Sequence, residues 1–122
     1  MKKVISLLAL LFVTSIGFAQ EKTLHAYTVA FKTEGIWTDW RSVSFDIEIY
    51  KGFVVLNTKN PQVFTIIGQD ENGYSDSKGG EQIGFYVQDK NGKRCILRFR
   101  STDIGAQMYI DYQNVTIVYG IE

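Results

Sequence analysis

The chain predicts an all-β fold, a small antiparallel meander closing as an eight-strand barrel or folding as a two-sheet sandwich. Three observations predict it. Apolar and polar side chains alternate with period two over most of the chain, short Gly, Asn and Asp clusters separate the alternating runs, and no helical periodicity follows the first nineteen residues.

The opening stretch, MKKVISLLALLFVTSIGFAQ, reads as a cleavable export signal. Lys2 and Lys3 form a basic head, Val4 to Phe18 is mostly apolar, and Gly17 and Ala19 are small residues at the −3 and −1 positions of a cleavage site. The apolar run is shorter than the roughly 20 residues of a membrane span and has no basic cluster behind it. The expected organisation is therefore residues 1–19 as signal and residues 20–122 as a single β domain, exported to the periplasm or beyond. With no cysteine near the cleavage point, a lipid anchor is not expected. The MKK opening and FAQ ending resemble leaders of exported proteins from Bacteroidota-type bacteria, a resemblance confined to the leader.

Cleavage takes 13 basic and 13 acidic residues to 11 and 13, a net charge of about −2. Such a chain has no electrostatic reason to bind nucleic acid or anionic membranes. A domain of about 100 residues buries enough surface to fold without a metal or disulfide. Cys95 is the single cysteine, which excludes an intrachain disulfide, and the strand register places it on the inward face as a small hydrophobe.

Strands are expected near 24–33, 42–50, 53–58, 62–68, 82–89, 93–100, 107–112 and 115–120. Val43, Phe45, Ile47 and Ile49 alternate with Ser44, Asp46 and Glu48, and Ile83, Phe85 and Val87 alternate with polar neighbours. Turn chemistry sets the registers. A two-residue Asn91-Gly92 loop would bury Arg94, Arg98 and Arg100. A three-residue loop with left-handed Gly92 instead pairs Val87 with Cys95, Phe85 with Leu97 and Ile83 with Phe99, and turns all three arginines outward. A Gln113-Asn114 loop pairs Ile110 with Ile117 and Met108 with Tyr119. A Lys51-Gly52 loop pairs Ile49 with Val54 and Ile47 with Leu56. The polar stretch from Gly68 to Gly80 is expected as a long loop.

The expected function is a non-catalytic exported β-domain that binds a ligand or serves in the envelope, with a glycan or envelope protein as partner. Alternatives are a carbohydrate-binding module using Trp37 and Trp40, a lipocalin-like carrier of an apolar ligand, and a periplasmic enzyme inhibitor. The two tryptophans, with Asp39 and Arg41 beside them, form either a stacking platform for sugar rings or, as the preferred reading, a plug over the open end of the core. A second candidate surface is the outward strip bearing Tyr86, Arg98 and Tyr109, alongside the pairs Tyr50/Phe53, Tyr86/Ile96 and Tyr109/Val118. Arg94, Arg98 and Arg100 are more readily explained as partners of acids such as Asp111 on neighbouring strands.

Catalytic signals are weak. His25 is the lone histidine with no cysteine or histidine partner for zinc, and a Gly-x-Ser-x-Gly elbow is missing. Asp46 and Glu48 share a strand face in a spacing common on any wet strand. Asp70, Glu71, Asn72 and Asp76 fall short of a calcium-loop pattern. No cofactor is expected.

Overall fold

A computed structural model describes residues 22–75, 81–102 and 105–122. Residues 1–21, 76–80 and 103–104 and the side chains of 70–75 and 81 lie outside what is described, and with them the expected export signal and the calcium-like cluster of the 68–80 stretch.

Nine strands run in chain order: β1 (Lys22–Thr33), β2 (Ile36–Trp37), β3 (Arg41–Ile49), β4 (Phe53–Leu56), β5 (Gln62–Ser75), β6 (Glu81–Gln88), β7 (Arg94–Thr102), β8 (Gly105–Asp111) and β9 (Val115–Ile121). Each pairs antiparallel with its neighbour in the order β2-β1-β3-β4-β5-β6-β7-β8-β9, and β1 pairs again with β9. The result is a closed eight-strand barrel carrying one extra strand, β2. Of the two architectures open to a meander, the β1–β9 pairing selects the barrel, and closure removes the sheet edges that an open sandwich would expose.

β1 makes closure possible. Its twelve residues pair with β3 from Lys22 to Val29 and with β9 from Ala26 to Thr33. A register shift between Ala26 and Thr28 inserts Tyr27 as an extra residue opposite β9. The bulge bends β1 and reverses its side-chain parity: Leu24 and Ala26 point inward before it, Val29 and Phe31 after it.

The hairpin registers follow the turn arguments. Val87 faces Cys95, Phe85 faces Leu97 and Ile83 faces Phe99. Gly92 has φ +82°, and the Asp89 and Lys93 backbones close the loop. Ile110 faces Ile117, Met108 faces Tyr119, Ile49 faces Val54 and Ile47 faces Leu56. The interior is filled by Phe64, Phe99, Ile47, Leu56, Leu97, Met108 and Ile110, all essentially inaccessible to water. Cys95 is buried among them as a free thiol.

Two expectations need correction. The backbone beyond Gly68 is not a loop at once: β5 continues to Ser75, pairing Gln69 with Phe85, Asp70 with Gly84 and Ser75 with Glu81 across two register shifts. Bulged pairing needs no alternating apolar face, so periodicity gave no sign of it. β2 was also unforeseen. It is a two-residue ladder closed by a turn with Glu34 at φ 52° and Gly35 at φ 81°, too short to show a period.

Candidate binding cleft on the outer wall

The outer wall is organised in transverse rows, because in-register antiparallel strands bring outward residues side by side. One row reads Arg100, Gln107, Gly120, Thr28 across β7, β8, β9 and β1. The next reads Arg98, Tyr109, Val118, Ala30. The first row forms the floor of a cleft of about 350 Å³, with Tyr27 and Trp40 among its walls and Thr102 beside Arg100.

Each wall has a local cause. Tyr27 is the bulged residue of β1, so it and Thr28 both project outward, and bulges commonly re-aim a side chain in this way. The Tyr27 ring lies across Gly120, where a Cβ would come within 3.2 Å of ring carbons. Glycine within a strand here marks close approach of a neighbouring side chain. Trp40 immediately precedes β3 and is held between two anchors to β1. On one side Thr38 N–H donates to the Phe31 carbonyl at 2.8 Å, while Thr38 Oγ1 accepts from Phe31 N–H at 2.9 Å. On the other, Thr28 Oγ1 donates to the Arg41 carbonyl at 3.0 Å.

Trp40 is 51% exposed and Tyr27 47%. The preferred reading of the tryptophans as a plug over the core is thereby overturned. Trp37, 45% exposed, lies on β2 with the Lys32 ammonium 5.6 Å from its ring centroid, and it does not line the cleft. The buried interior is packed with aliphatic and aromatic side chains of the strands themselves, and both indoles stand outside it. The two tryptophans have separate surroundings. Arg41 is exposed at the start of β3 and contributes its carbonyl, through Thr28, to the placement of Trp40.

Polar groups on the floor are oriented. Gln107 Oε1 accepts from Arg100 Nη1 at 3.1 Å and from the Tyr109 hydroxyl at 2.9 Å, which fixes the amide so that its nitrogen points the other way. Among the described residues the lining contains an arginine and no carboxylate, histidine or cysteine. Such a surface offers apolar ring faces and hydrogen-bond donors, with a charge that suits neutral or anionic ligands.

The strip carrying Tyr86, Arg98 and Tyr109 has a different character. Arg98 donates through Nε and Nη2 to the two oxygens of Asp111, the second at 3.0 Å, and through Nη1 to Gln82 at 2.9 Å. Its guanidinium also stacks 4.4 Å from the Tyr109 ring centroid. These contacts occupy Arg98 within the wall and give it a structural role. Tyr86 is 42% exposed and, with Ile67 and Ile96, borders a shallow groove of about 600 Å³ that also meets Arg94 and Asp111. At one end of this groove Cys95 is buried, and burial, then the nearby Asp89 and Asp111 charges, push its thiol up to about 11 against the opposing Tyr112 hydroxyl.

Tyr27, Thr28, Gln107 and Gly120 were missed from sequence. Gly120 alone carried a signal, as an isolated glycine inside an otherwise apolar strand. The other three depend on a bulge and on which strands meet at closure. Fold and site together define a closed antiparallel barrel with an aromatic-walled cleft on its exterior. Compared with known proteins, the chain matches no family model, no curated protein and no solved structure.

Proposed function

We propose that the domain is an exported binding module that holds a sugar unit of a glycan, without chemistry on it, in the Tyr27–Trp40 cleft. The observation that carries this reading is the pairing of two half-exposed aromatic walls with a row of oriented hydrogen-bonding side chains. A sugar ring has an apolar C–H face that packs on indole or phenol and a rim of hydroxyls that Arg100, Gln107 and Thr28 can address. The packed interior favours the exterior wall over a carrier's internal cavity.

Titration of Trp37→Phe protein, which leaves Trp40 as the single indole, against a panel of neutral and uronic-acid oligosaccharides tests the reading. A saturable change in emission is expected, weakened roughly 30-fold by Tyr27→Ala, since a buried aromatic anchor is worth about 2 kcal/mol. Unchanged Trp40 emission across the panel, or equal affinity in Tyr27→Ala, would refute it.

A further inference from the structure

On the same outer wall, one step along β1 from Tyr27, three side chains meet. His25 Nδ1 lies 3.0 Å from Asp46 Oδ1, and His25 Nε2 lies 3.2 Å from Ser44 Oγ. We propose that Ser44, His25 and Asp46 form a nucleophilic site that accepts acyl groups from activated esters. The site is separate from the glycan cleft and does not depend on it.

The register produces this arrangement. His25 on β1 pairs directly with Asp46 on β3. Between the Ala26–Phe45 and Thr28–Ser42 pairs, β3 has two residues, Val43 and Ser44, where β1 has only Tyr27. The mismatch shifts Ser44 toward the imidazole instead of setting it opposite a residue of its own. Phe45 points into the core, so Ser44 and Asp46 both face outward.

Hydrogen-bond roles follow from the partners. An ionised carboxylate can only accept, so the imidazole proton sits on Nδ1 and Nε2 is left to accept from the Ser44 hydroxyl. A nucleophile in reach of a base, itself oriented by a third group, is the arrangement that activates serine. Glu122 Oε1, 3.8 Å from Nε2, adds a second carboxylate on the side where positive charge develops.

In the reaction Ser44 Oγ attacks the ester carbonyl as its proton passes to Nε2. The tetrahedral intermediate then collapses and the C–O bond to the leaving group breaks; the leaving oxygen departs as an alcohol carrying the Nε2 proton, or as a phenolate while the imidazolium gives that proton to solvent. The acyl group remains on Ser44 until the neutral imidazole takes a proton from a water that attacks the acyl carbon; the acyl C–O bond to Ser44 then breaks, the imidazolium returns the proton to Ser44 Oγ, and a carboxylic acid leaves. No oxidant or cofactor is needed. The three residues are open to water, so solvent faces the developing oxyanion. Preorganised donors at that position are worth about 10²–10³ in rate, so activated esters are the substrate class the site suits.

The test uses p-nitrophenyl acetate, following nitrophenolate release and locating the acetyl group by peptide mapping. Acetylation at Ser44 is expected, with His25→Ala lowering its rate about 100-fold, in line with the usual worth of a general base. Asp46→Asn should lower it as well, because the amide no longer fixes the tautomer. Ser44→Ala replaces an exposed side chain, leaves the core intact and should abolish the burst. Nitrophenolate release at the unsubstituted rate in Ser44→Ala, or acetyl found only on His25 or lysines, would overturn the proposal.

Discussion

Gly120→Ala isolates the physical coupling between barrel closure and the cleft. Gly120 does not use the left-handed backbone region, so alanine fits its conformation and only the added methyl is at issue. That methyl would lie 2.5 Å from Thr28 Cγ2 and 3.2 Å from two carbons of the Tyr27 ring. Thr28 is β-branched with few χ1 choices, and its hydroxyl is committed to the Arg41 carbonyl. Relief therefore means losing a hydrogen bond worth about 0.5–1.5 kcal/mol or spreading the β1–β9 seam. Overpacking of this kind costs about 1–3 kcal/mol. Restricting the unfolded chain returns about 0.4–1 kcal/mol. The net expectation is a loss of roughly 1–2 kcal/mol, and each kcal/mol lowers the melting temperature of a domain this size by about 4–8 °C. Thermal unfolding by circular dichroism measures it. Thr28→Ser removes Cγ2 and keeps the hydroxyl, so the Gly120→Ala/Thr28→Ser protein should recover most of the loss. A melting temperature for Gly120→Ala equal to or above that of the unsubstituted protein, or a double variant that recovers nothing, would refute the reasoning.

Arg98→Met should lower stability in urea denaturation by about 1–3 kcal/mol, because Asp111 and Gln82 lose a charged donor at a half-buried position. Glycan binding should persist in that variant, since Arg98 does not line the cleft. At Asp89, burial raises the carboxyl, but N–H bonds from Lys93 and Asn91, the Tyr112 hydroxyl and the Lys93 charge together hold it below its ordinary 3.8. A depressed carboxylate contributes stability in full above the unfolded value near 4 and loses it as pH falls through the lower folded value. Asp89→Asn should accordingly be less stable at neutral pH and show a shallower loss on acidification, measured as urea midpoints against pH. Cys95, with its thiol pushed up to about 11, should resist disulfide-exchange labelling at about pH 8 in the folded protein and react promptly in urea. Prompt labelling without denaturant would contradict its burial.

The register of the β6–β7 hairpin was legible without coordinates, since a one-residue slip would have buried Arg94, Arg98 and Arg100 at a cost no turn preference could offset, and the two-residue loops at 51–52 and 113–114 set those of β3–β4 and β8–β9. The same alternation explains why Cys95 and Phe99 are inside. Trp40 was visible as a candidate, but its exposure was not, because indole serves equally as core or as surface platform. The His25 cluster was invisible for a different reason. Its members are 19 and 21 residues apart, and only the β1–β3 register brings them together.

Alternation and turn chemistry are local, so the sequence by itself determined that the domain is a meander of β-strands, which side of most strands is oily, and how adjacent strands pair. Closure was decided elsewhere. The first strand meets the last across almost the whole chain, and a bulge at Tyr27 lets one strand serve two partners. Such long-range pairing depends on where distant side chains fit, as Tyr27 fits over Gly120. A two-residue period is blind to that fit, which is why only the tertiary structure reveals the cleft and the serine–histidine–aspartate cluster.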